Sequence, residues 1–131
     1  MAEEIKKKIL VIEDDLPVLQ AIVDKFTREG FKVIQAKDGE EGFMTAKMER
    51  PDLILLDIIM PKMDGLSMLK KLRAESLWGK NVPVILLTNL SPDDDKINER
   101  IAEDGPAYYL VKTNWSMSDV VAKVKERLNR P

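Results

Sequence analysis

Acidic side chains follow two apolar runs of the sequence, and carboxylates can bind a metal ion or attack phosphorus. Glu13 and Asp14 come directly after residues 9–12, and Asp57 comes directly after residues 53–56. A continuous apolar run of this length is typical of a strand buried on both faces of a parallel sheet. Because ligands bind where the carboxyl ends of such strands meet, we expect these three carboxylates to share one crevice.

Two more polar side chains stand at the ends of apolar runs later in the chain. Thr88 follows residues 84–87, and Lys112 follows residues 108–111. If the strands pair in the order 2-1-3-4-5, these side chains lie at the same edge of the sheet as the carboxylates. A hydroxyl group and an ammonium group would then join the acidic residues.

Three carboxylates in one crevice need a compensating charge. Two unit charges 4 Å apart repel by about 4 kcal/mol at an effective dielectric constant near 20. The chain has no histidine and no cysteine, which excludes imidazole and thiolate ligands and leaves oxygen ligands. Mg²⁺ is the expected ion because it binds carboxylates together with water, and Mn²⁺ could replace it.

A bound metal ion and Lys112 would leave room for an anion, and a phosphoryl group fits this description. An aspartate can attack phosphorus and form an aspartyl-phosphate. Asp57 is the candidate nucleophile because it stands alone at its strand end. The metal ion and Lys112 would stabilise the oxygens of the transferred group, so little other protein chemistry is needed.

Strands and helices alternate along the chain, and these elements must position the polar side chains. Apolar runs predict strands at residues 9–12, 31–36, 53–56, 84–87 and 108–111. Helices are predicted to begin near Asp15, Asp38, Asp64, Ser91 and Ser116. This alternation indicates an α/β fold with a parallel five-stranded sheet between two helical layers. At this size we expect the flavodoxin-like, doubly wound order 2-1-3-4-5.

Two of the predicted helices carry further signals. Ser116 and Asp119 have the spacing of a capping box at the start of the last helix. The helix predicted from Ser91 has few apolar residues, which is compatible with mobility. Trp78 and Trp115 fall in predicted loops and receive no role.

The composition favours one compact domain. The chain has 131 residues, of which 44% are hydrophobic, and this is enough to bury a core. A net charge of -2 gives no basic excess for binding nucleic acid, and no apolar run approaches the roughly 20 residues that span a bilayer. We therefore expect a cytoplasmic protein with one domain over residues 1–131, a core over about residues 7–128 and no output domain.

The ordered set of polar residues at strand ends closely resembles the bacterial response-regulator receiver family of two-component signalling. The matching segments are residues 11–15, residues 57–61 with Asp64 and Gly65, residues 86–88 and residues 109–112. Each segment is common by itself, but their order and spacing together are specific. The resemblance covers about residues 7–128 and is to a stand-alone receiver of the chemotaxis-regulator type.

The resemblance implies a role for each acidic residue. Glu13 and Asp14 would hold Mg²⁺, directly or through water, and the backbone carbonyl of Ile59 would also bind the ion. Asp57 would accept the phosphoryl group from a phosphohistidine on a sensor histidine kinase or a histidine phosphotransfer protein. The chain would then be a phosphoacceptor with weak autophosphatase activity rather than a metabolic enzyme.

The resemblance also implies a switch. Thr88 would hydrogen-bond the phosphoryl group, Lys112 would pair with it, and Tyr109 would turn inward as Thr88 moves. The surface of the helix predicted from Ser91, the fifth strand and the last helix would change as a result. That surface would regulate a downstream protein, without direct binding to nucleic acid or insertion into a membrane.

Four residues beside the predicted site bear on its rate and on switching. Asn89 stands where the family usually has a small residue, and Thr113 stands where it usually has proline. Ile59 and Leu90 are apolar and cannot position a water molecule. We therefore expect slow hydrolysis of the aspartyl-phosphate.

Three other functions fit parts of the sequence. A degenerate receiver would act only as a protein-binding module. A haloacid-dehalogenase-like phosphatase also uses Asp, Mg²⁺, Thr and Lys, but it expects a second Asp where this chain has Ile59. A nucleotide-binding fold is disfavoured because no glycine-rich loop follows the first strand.

Overall fold

The computed structural model of the chain describes residues 6–88, 108–111 and 116–129, with the backbone alone at residues 88 and 108–111. The strands are β1 (Lys8–Ile12), β2 (Lys32–Ala36), β3 (Leu53–Leu56), β4 (Val84–Thr88) and β5 (Tyr108–Val111). The helices in these residues are α1 (Leu16–Arg28), α2 (Gly39–Glu49), α3 (Gly65–Glu75), α4 (Leu77–Asn81) and α5 (Met117–Leu128).

The five strands form one parallel sheet in the order β2-β1-β3-β4-β5, which confirms the predicted flavodoxin-like architecture. The register places Ile12, the last residue of β1, level with Leu56, the last residue of β3. The residues that follow these strands, Glu13 and Asp57, therefore leave the sheet at the same height. Pairing of Thr88 with Val111 brings the ends of β4 and β5 to the same edge.

The core consists of two apolar layers, one on each face of the sheet. Alternate residues of β1 enter different layers: Leu10 and Ile12 pack on one face, and Ile9 and Val11 pack on the other. This explains the continuous apolar runs, since a strand covered on both faces has no polar side. Full burial of such a side chain contributes about 1.5–3 kcal/mol, so the sheet forms a rigid base for the loops at its edges.

Side-chain caps begin the helices where the sequence predicts them. The Asp38 carboxylate accepts a hydrogen bond from the backbone N–H of Glu41 at 2.8 Å, and Asp15 and Asp64 cap α1 and α3 in the same way. Caps of this kind are typically worth about 1 kcal/mol. They fix the points at which the chain leaves the carboxyl edge of the sheet and enters each helix.

The capping box predicted at the start of α5 is present. The Asp119 N–H donates to the Ser116 hydroxyl at 3.2 Å, and the Ser116 N–H donates to the Asp119 carboxylate at 3.0 Å. Hydrogen bonds with Ser116 lower the pKa of Asp119 below its ordinary value. The bond from the Ser116 backbone has the larger effect, and the bond with its side chain has the smaller one.

One prediction is wrong: Trp78 lies in the short helix α4 rather than in a loop. Ser76 ends α3 and also caps α4, because its hydroxyl accepts a hydrogen bond from the Gly79 N–H at 3.0 Å. A helix of five residues is too short to show an apolar period, so the sequence pattern did not reveal it. The helix predicted from Ser91 and the loop predicted around Trp115 fall outside the described residues.

No helix among residues 6–88 and 116–129 has both the length and the apolar character needed to cross a membrane.

Candidate functional site

Three carboxylates converge at the carboxyl edge of the sheet, as the sequence predicts. Glu13, Asp14 and Asp57 each offer an oxygen, and these oxygens lie within 4.8 Å of one another. Glu13 and Asp57 are 2% and 7% exposed, whereas Asp14 is exposed to solvent. The cluster therefore has two buried members and opens to solvent on the side of Asp14.

Backbone hydrogen bonds hold the two buried members in place. The Asp57 N–H donates to the carbonyl of Ile12 at 3.1 Å, and the Glu13 N–H donates to the carbonyl of Ala36 at 3.1 Å. These bonds continue the strand ladders by one residue beyond β3 and β1. The positions of both carboxylates are consequently set by the sheet rather than by a mobile loop.

A close backbone contact closes the loop that follows Asp57. The Gly65 N–H donates to the carbonyl of Ile58 at 2.7 Å. A Cβ atom at Gly65 would lie 2.0 Å from the Asp57 carbonyl oxygen, so only glycine fits at the start of α3. Ile59 lies within this closed loop and is 58% exposed.

The start of α2 supports the same loop from the other side. The buried Asp38 carboxylate, besides capping α2, lies 3.7 Å from the Lys62 ammonium group. A Cβ atom at Gly39 would lie 2.0 Å from the carbonyl oxygen of Met63, so that backbone packs directly on the first residue of α2. The loop that carries Ile59 is thus held both by α3 and by α2.

The sequence predicts the clustering of the three carboxylates but not the contacts that support them. Asp38–Gly39 and Asp64–Gly65 both predict helix starts, yet the close approach of each glycine to the 57–63 segment was not anticipated. The signal available in the sequence was the repeated Asp-Gly pair, in which the aspartate caps a helix and the glycine admits a neighbouring carbonyl group.

The chemistry of these donors fits a hard divalent cation. Two oxygens bound to one Mg²⁺ at 2.0–2.1 Å lie about 3 to 4 Å apart. The observed limit of 4.8 Å is slightly larger, and rotation of the exposed Asp14 or a bridging water would close the difference. Oxygen donors of this kind suit Mg²⁺ and Mn²⁺, and the chain has no histidine or cysteine to bind a softer metal.

The roles predicted for the other site residues remain predictions. Thr88 ends β4 and Tyr109 lies in β5, where their backbones pair with Val111 and Leu86. Lys112 lies outside the described residues, as do Asn89, Leu90 and Thr113.

The sequence and the fold match those of known proteins over nearly the whole chain. Residues 9–125 match the profile of the response regulator receiver domain. The chain is 38% identical over 124 residues to the alkaline phosphatase synthesis transcriptional regulatory protein PhoP of Bacillus subtilis, covering 95% of this chain and 49% of that protein. It is 39% identical over 123 residues to the transcriptional regulatory protein PrrA of Mycobacterium tuberculosis, covering 94% of this chain and 50% of that protein. The chain thus spans about half the length of these curated relatives.

Solved structures agree with this comparison. The receiver domain of the Francisella response regulator 1452 superposes with a TM-score of 0.84 at 33% identity, covering 95% of this chain and 98% of that chain. A CheY-like receiver domain protein from Methanospirillum hungatei superposes with a TM-score of 0.86 at 26% identity, covering 95% of both chains.

Proposed function

Because the chain belongs to the response regulator receiver domain family, we propose that it is a signalling switch activated by phosphorylation of Asp57. The family resemblance seen in the strand-end residues is therefore confirmed. The observation that supports the switch is the convergence of Glu13, Asp14 and Asp57 within 4.8 Å at the edge where ligands bind in this fold. We propose residues 1–131 as one receiver domain.

The proposed reaction moves a phosphoryl group from a phosphohistidine to Asp57. A carboxylate oxygen of Asp57 attacks phosphorus, the phosphorus–nitrogen bond breaks, and the electron pair stays on the donor imidazole. The donor is a sensor histidine kinase or a histidine phosphotransfer protein. The fixed backbone of Asp57 favours this attack because the nucleophile is oriented before the donor arrives.

Glu13 and Asp14, with Asp57 itself and the backbone carbonyl of Ile59, are the groups that would hold Mg²⁺. When bound, the ion supplies positive charge to the oxygens of the transferred group. Burial of Glu13 and Asp57 strengthens this interaction, since charges attract more strongly where water is excluded. Exposure of Asp14 leaves a path by which water, the ion and the donor can reach the site.

We propose that phosphorylation changes a protein-binding face that includes β5. Thr88 would hydrogen-bond the phosphoryl group, Lys112 would pair with it, and Tyr109 would turn inward. The helix predicted from Ser91, β5 and α5 would form the altered face. The downstream partner is a protein, and the chain itself neither binds nucleic acid nor enters a membrane, in keeping with a place in the cytoplasm.

The chain would accept and slowly lose phosphate rather than turn over a metabolite. The same cluster supports this function over that of a degenerate receiver, which needs no converging carboxylates. The acidic residues support this function. The curated relatives named as transcriptional regulators are about twice as long as this chain. Their transcriptional role is therefore not carried over to this chain.

Mass spectrometry of the intact protein tests the proposal. With acetyl phosphate and Mg²⁺, the wild-type chain should gain the mass of one phosphoryl group, and Asp57→Asn should gain none. Asp24→Asn is the matched control, because Asp24 lies on the exposed face of α1 and should leave phosphorylation unchanged. Failure of the wild-type chain to gain phosphate would favour the degenerate receiver.

A further inference from the structure

Asp38 is the buried charged residue, among residues 6–88 and 116–129, that the proposed reaction does not use. One oxygen of its carboxylate accepts the hydrogen bond from the Glu41 N–H that caps α2. The other oxygen lies 3.7 Å from the Lys62 ammonium group. A cap needs only one oxygen, so capping does not account for the pair with Lys62.

The backbone at Lys62 is strained. The Met63 N–H donates to the Pro61 carbonyl at 2.8 Å, and Lys62, between them, has φ of 66°. A three-residue turn with a positive φ is rare for a residue other than glycine. Such strain persists only where surrounding contacts hold it, and it is concentrated at active sites and ligand-binding loops.

This turn is the second half of the loop that carries Ile59. Ile58 and Met60, on either side of Ile59, are buried, whereas Lys62 is exposed and its side chain reaches Asp38 at the start of α2. Buried apolar side chains thus anchor the first half of the loop. The second half is tied to α2 by an ion pair.

The pair should be modest in strength but specific in its effect. Ion pairs between two exposed side chains are weak because water screens them. Here the Asp38 side chain is only 7% exposed and is already fixed by its cap, so lysine alone loses freedom when the pair forms. Backbone bonds of the sheet hold Glu13 and Asp57 without this loop, so the pair bears on Ile59 rather than on the carboxylates.

We propose that Lys62 is a positioning residue for Mg²⁺. Its pair with Asp38 holds the strained turn and thereby keeps the Ile59 carbonyl in the place where it would bind the ion. This inference rests on the proposed function, in which that carbonyl is one of the groups that hold Mg²⁺. Charge alone predicts the opposite effect, because an ammonium group repels a cation and its removal would strengthen binding.

Isothermal titration of the full chain with Mg²⁺ measures the direction of the effect. Lys62→Met should fold normally, since the lysine side chain is 64% exposed, and should weaken binding about threefold through loss of one partly screened ion pair. Lys62→Arg keeps the charge and should bind like wild type. Lys37→Met is the matched control: it removes an exposed lysine directly after β2, at the same edge of the sheet, and should not weaken binding.

A double variant tests the partner of Lys62. Asp38→Asn keeps a residue that caps helices well but removes the negative charge. In the Asp38→Asn background, Lys62→Met should not weaken Mg²⁺ binding further, because the pair is already broken. A further threefold loss in that background would contradict the pairing.

Amide hydrogen exchange of the metal-free chain, followed by nuclear magnetic resonance, tests the turn without Mg²⁺. Lys62→Met should speed exchange of the Met63 N–H about threefold, and Lys62→Arg should not. The Asp57 N–H, which belongs to the strand ladder, should exchange at the same rate in all three proteins.

Two results would overturn the positioning role and leave the proposed function intact. One is Mg²⁺ binding to Lys62→Met that equals or exceeds that of wild type. The other is exchange at Met63 that does not respond to Lys62→Met. A wild-type chain that binds no Mg²⁺ would instead overturn the metal site itself, and the role of Lys62 with it.

Discussion

The two ends of the parallel sheet differ in the charged groups that they carry. At the carboxyl end, Glu13, Asp14 and Asp57 bring three negative groups within 4.8 Å, and two of them are buried. At the amino end, the guanidinium carbon of Arg50 lies 5.7 Å from the centre of the Trp78 ring, and the ammonium group of Lys8 pairs with the Glu49 carboxylate. The carboxyl end is suited to a cation, whereas the amino end carries groups of both signs, although both are built on the same strands.

The two ends also differ in what holds them. Glu13 and Asp57, at the carboxyl end, extend the strand ladders through backbone hydrogen bonds to Ala36 and Ile12. A groove at the amino end is formed by the end of α2 and by the short helix α4. We infer that the carboxyl end is suited to chemistry, which needs fixed groups.

The largest effect should come from filling the close contact beside Asp57. Gly65→Ala places a methyl group against the Asp57 carbonyl oxygen and should lower the free energy of unfolding by about 3 kcal/mol. Urea denaturation measures this change. Gly30→Ala is the control: it has φ of 94° but open space around it, and it should cost only about 1 kcal/mol. Equal costs would show that the contact at Gly65 is not tight.

The next effect concerns the cation. Mg²⁺ at 100 times its dissociation constant should stabilise the wild-type chain by about 2.7 kcal/mol, because it binds only the folded state. Asp14→Asn should lose most of this gain and be at least as stable as wild type without metal, since one of three repelling charges is gone. Arg50→Gln, at the other end of the sheet, should keep the gain. Thermal unfolding with and without Mg²⁺ measures all three, and the same gain in Asp14→Asn would contradict the site.

A smaller effect should appear in the lifetime of the phosphorylated protein. Ile59 is exposed and apolar, so it cannot orient water toward the phosphoryl group. Ile59→Asn should shorten the lifetime about tenfold, which corresponds to about 1.4 kcal/mol, whereas Ile59→Val should not. The decay is followed by intact mass after removal of acetyl phosphate. A wild-type lifetime of seconds would contradict the expected slow hydrolysis.

The smallest effect on stability is expected at the amino end. Arg50→Gly loses a cation–π contact worth about 0.5–1 kcal/mol and gains a similar amount from relief of the left-handed backbone. The free energy of unfolding should stay within about 1 kcal/mol of wild type. A loss of several kcal/mol in urea denaturation would make Arg50 a structural residue and remove the contrast between the ends.

The carboxyl end could be predicted from the sequence because it depends on simple patterns. Continuous apolar runs locate the strands, and aspartates mark the starts of α1, α2 and α3. Parallel strands then bring the residues that follow them to one edge, which is why the clustering of Glu13, Asp14 and Asp57 followed from order alone.

The amino end and the loop supports could not be predicted in the same way. The contact between Arg50 and Trp78 joins residues far apart in sequence, and it depends on how α2 ends and on the short helix α4. The pairing of Asp38 with Lys62 likewise depends on the loop conformation after β3. No local period or motif encodes such contacts, since they arise only after the elements pack.

Chemical identification of the phosphorylated residue tests the central claim most directly. The wild-type chain is phosphorylated with acetyl phosphate in Mg²⁺, reduced with borohydride to convert an aspartyl-phosphate to homoserine, and digested for peptide mass spectrometry. We expect homoserine at position 57, and none when the metal is removed with a chelator. Homoserine at another aspartate, or an equal yield at position 57 without metal, would contradict it.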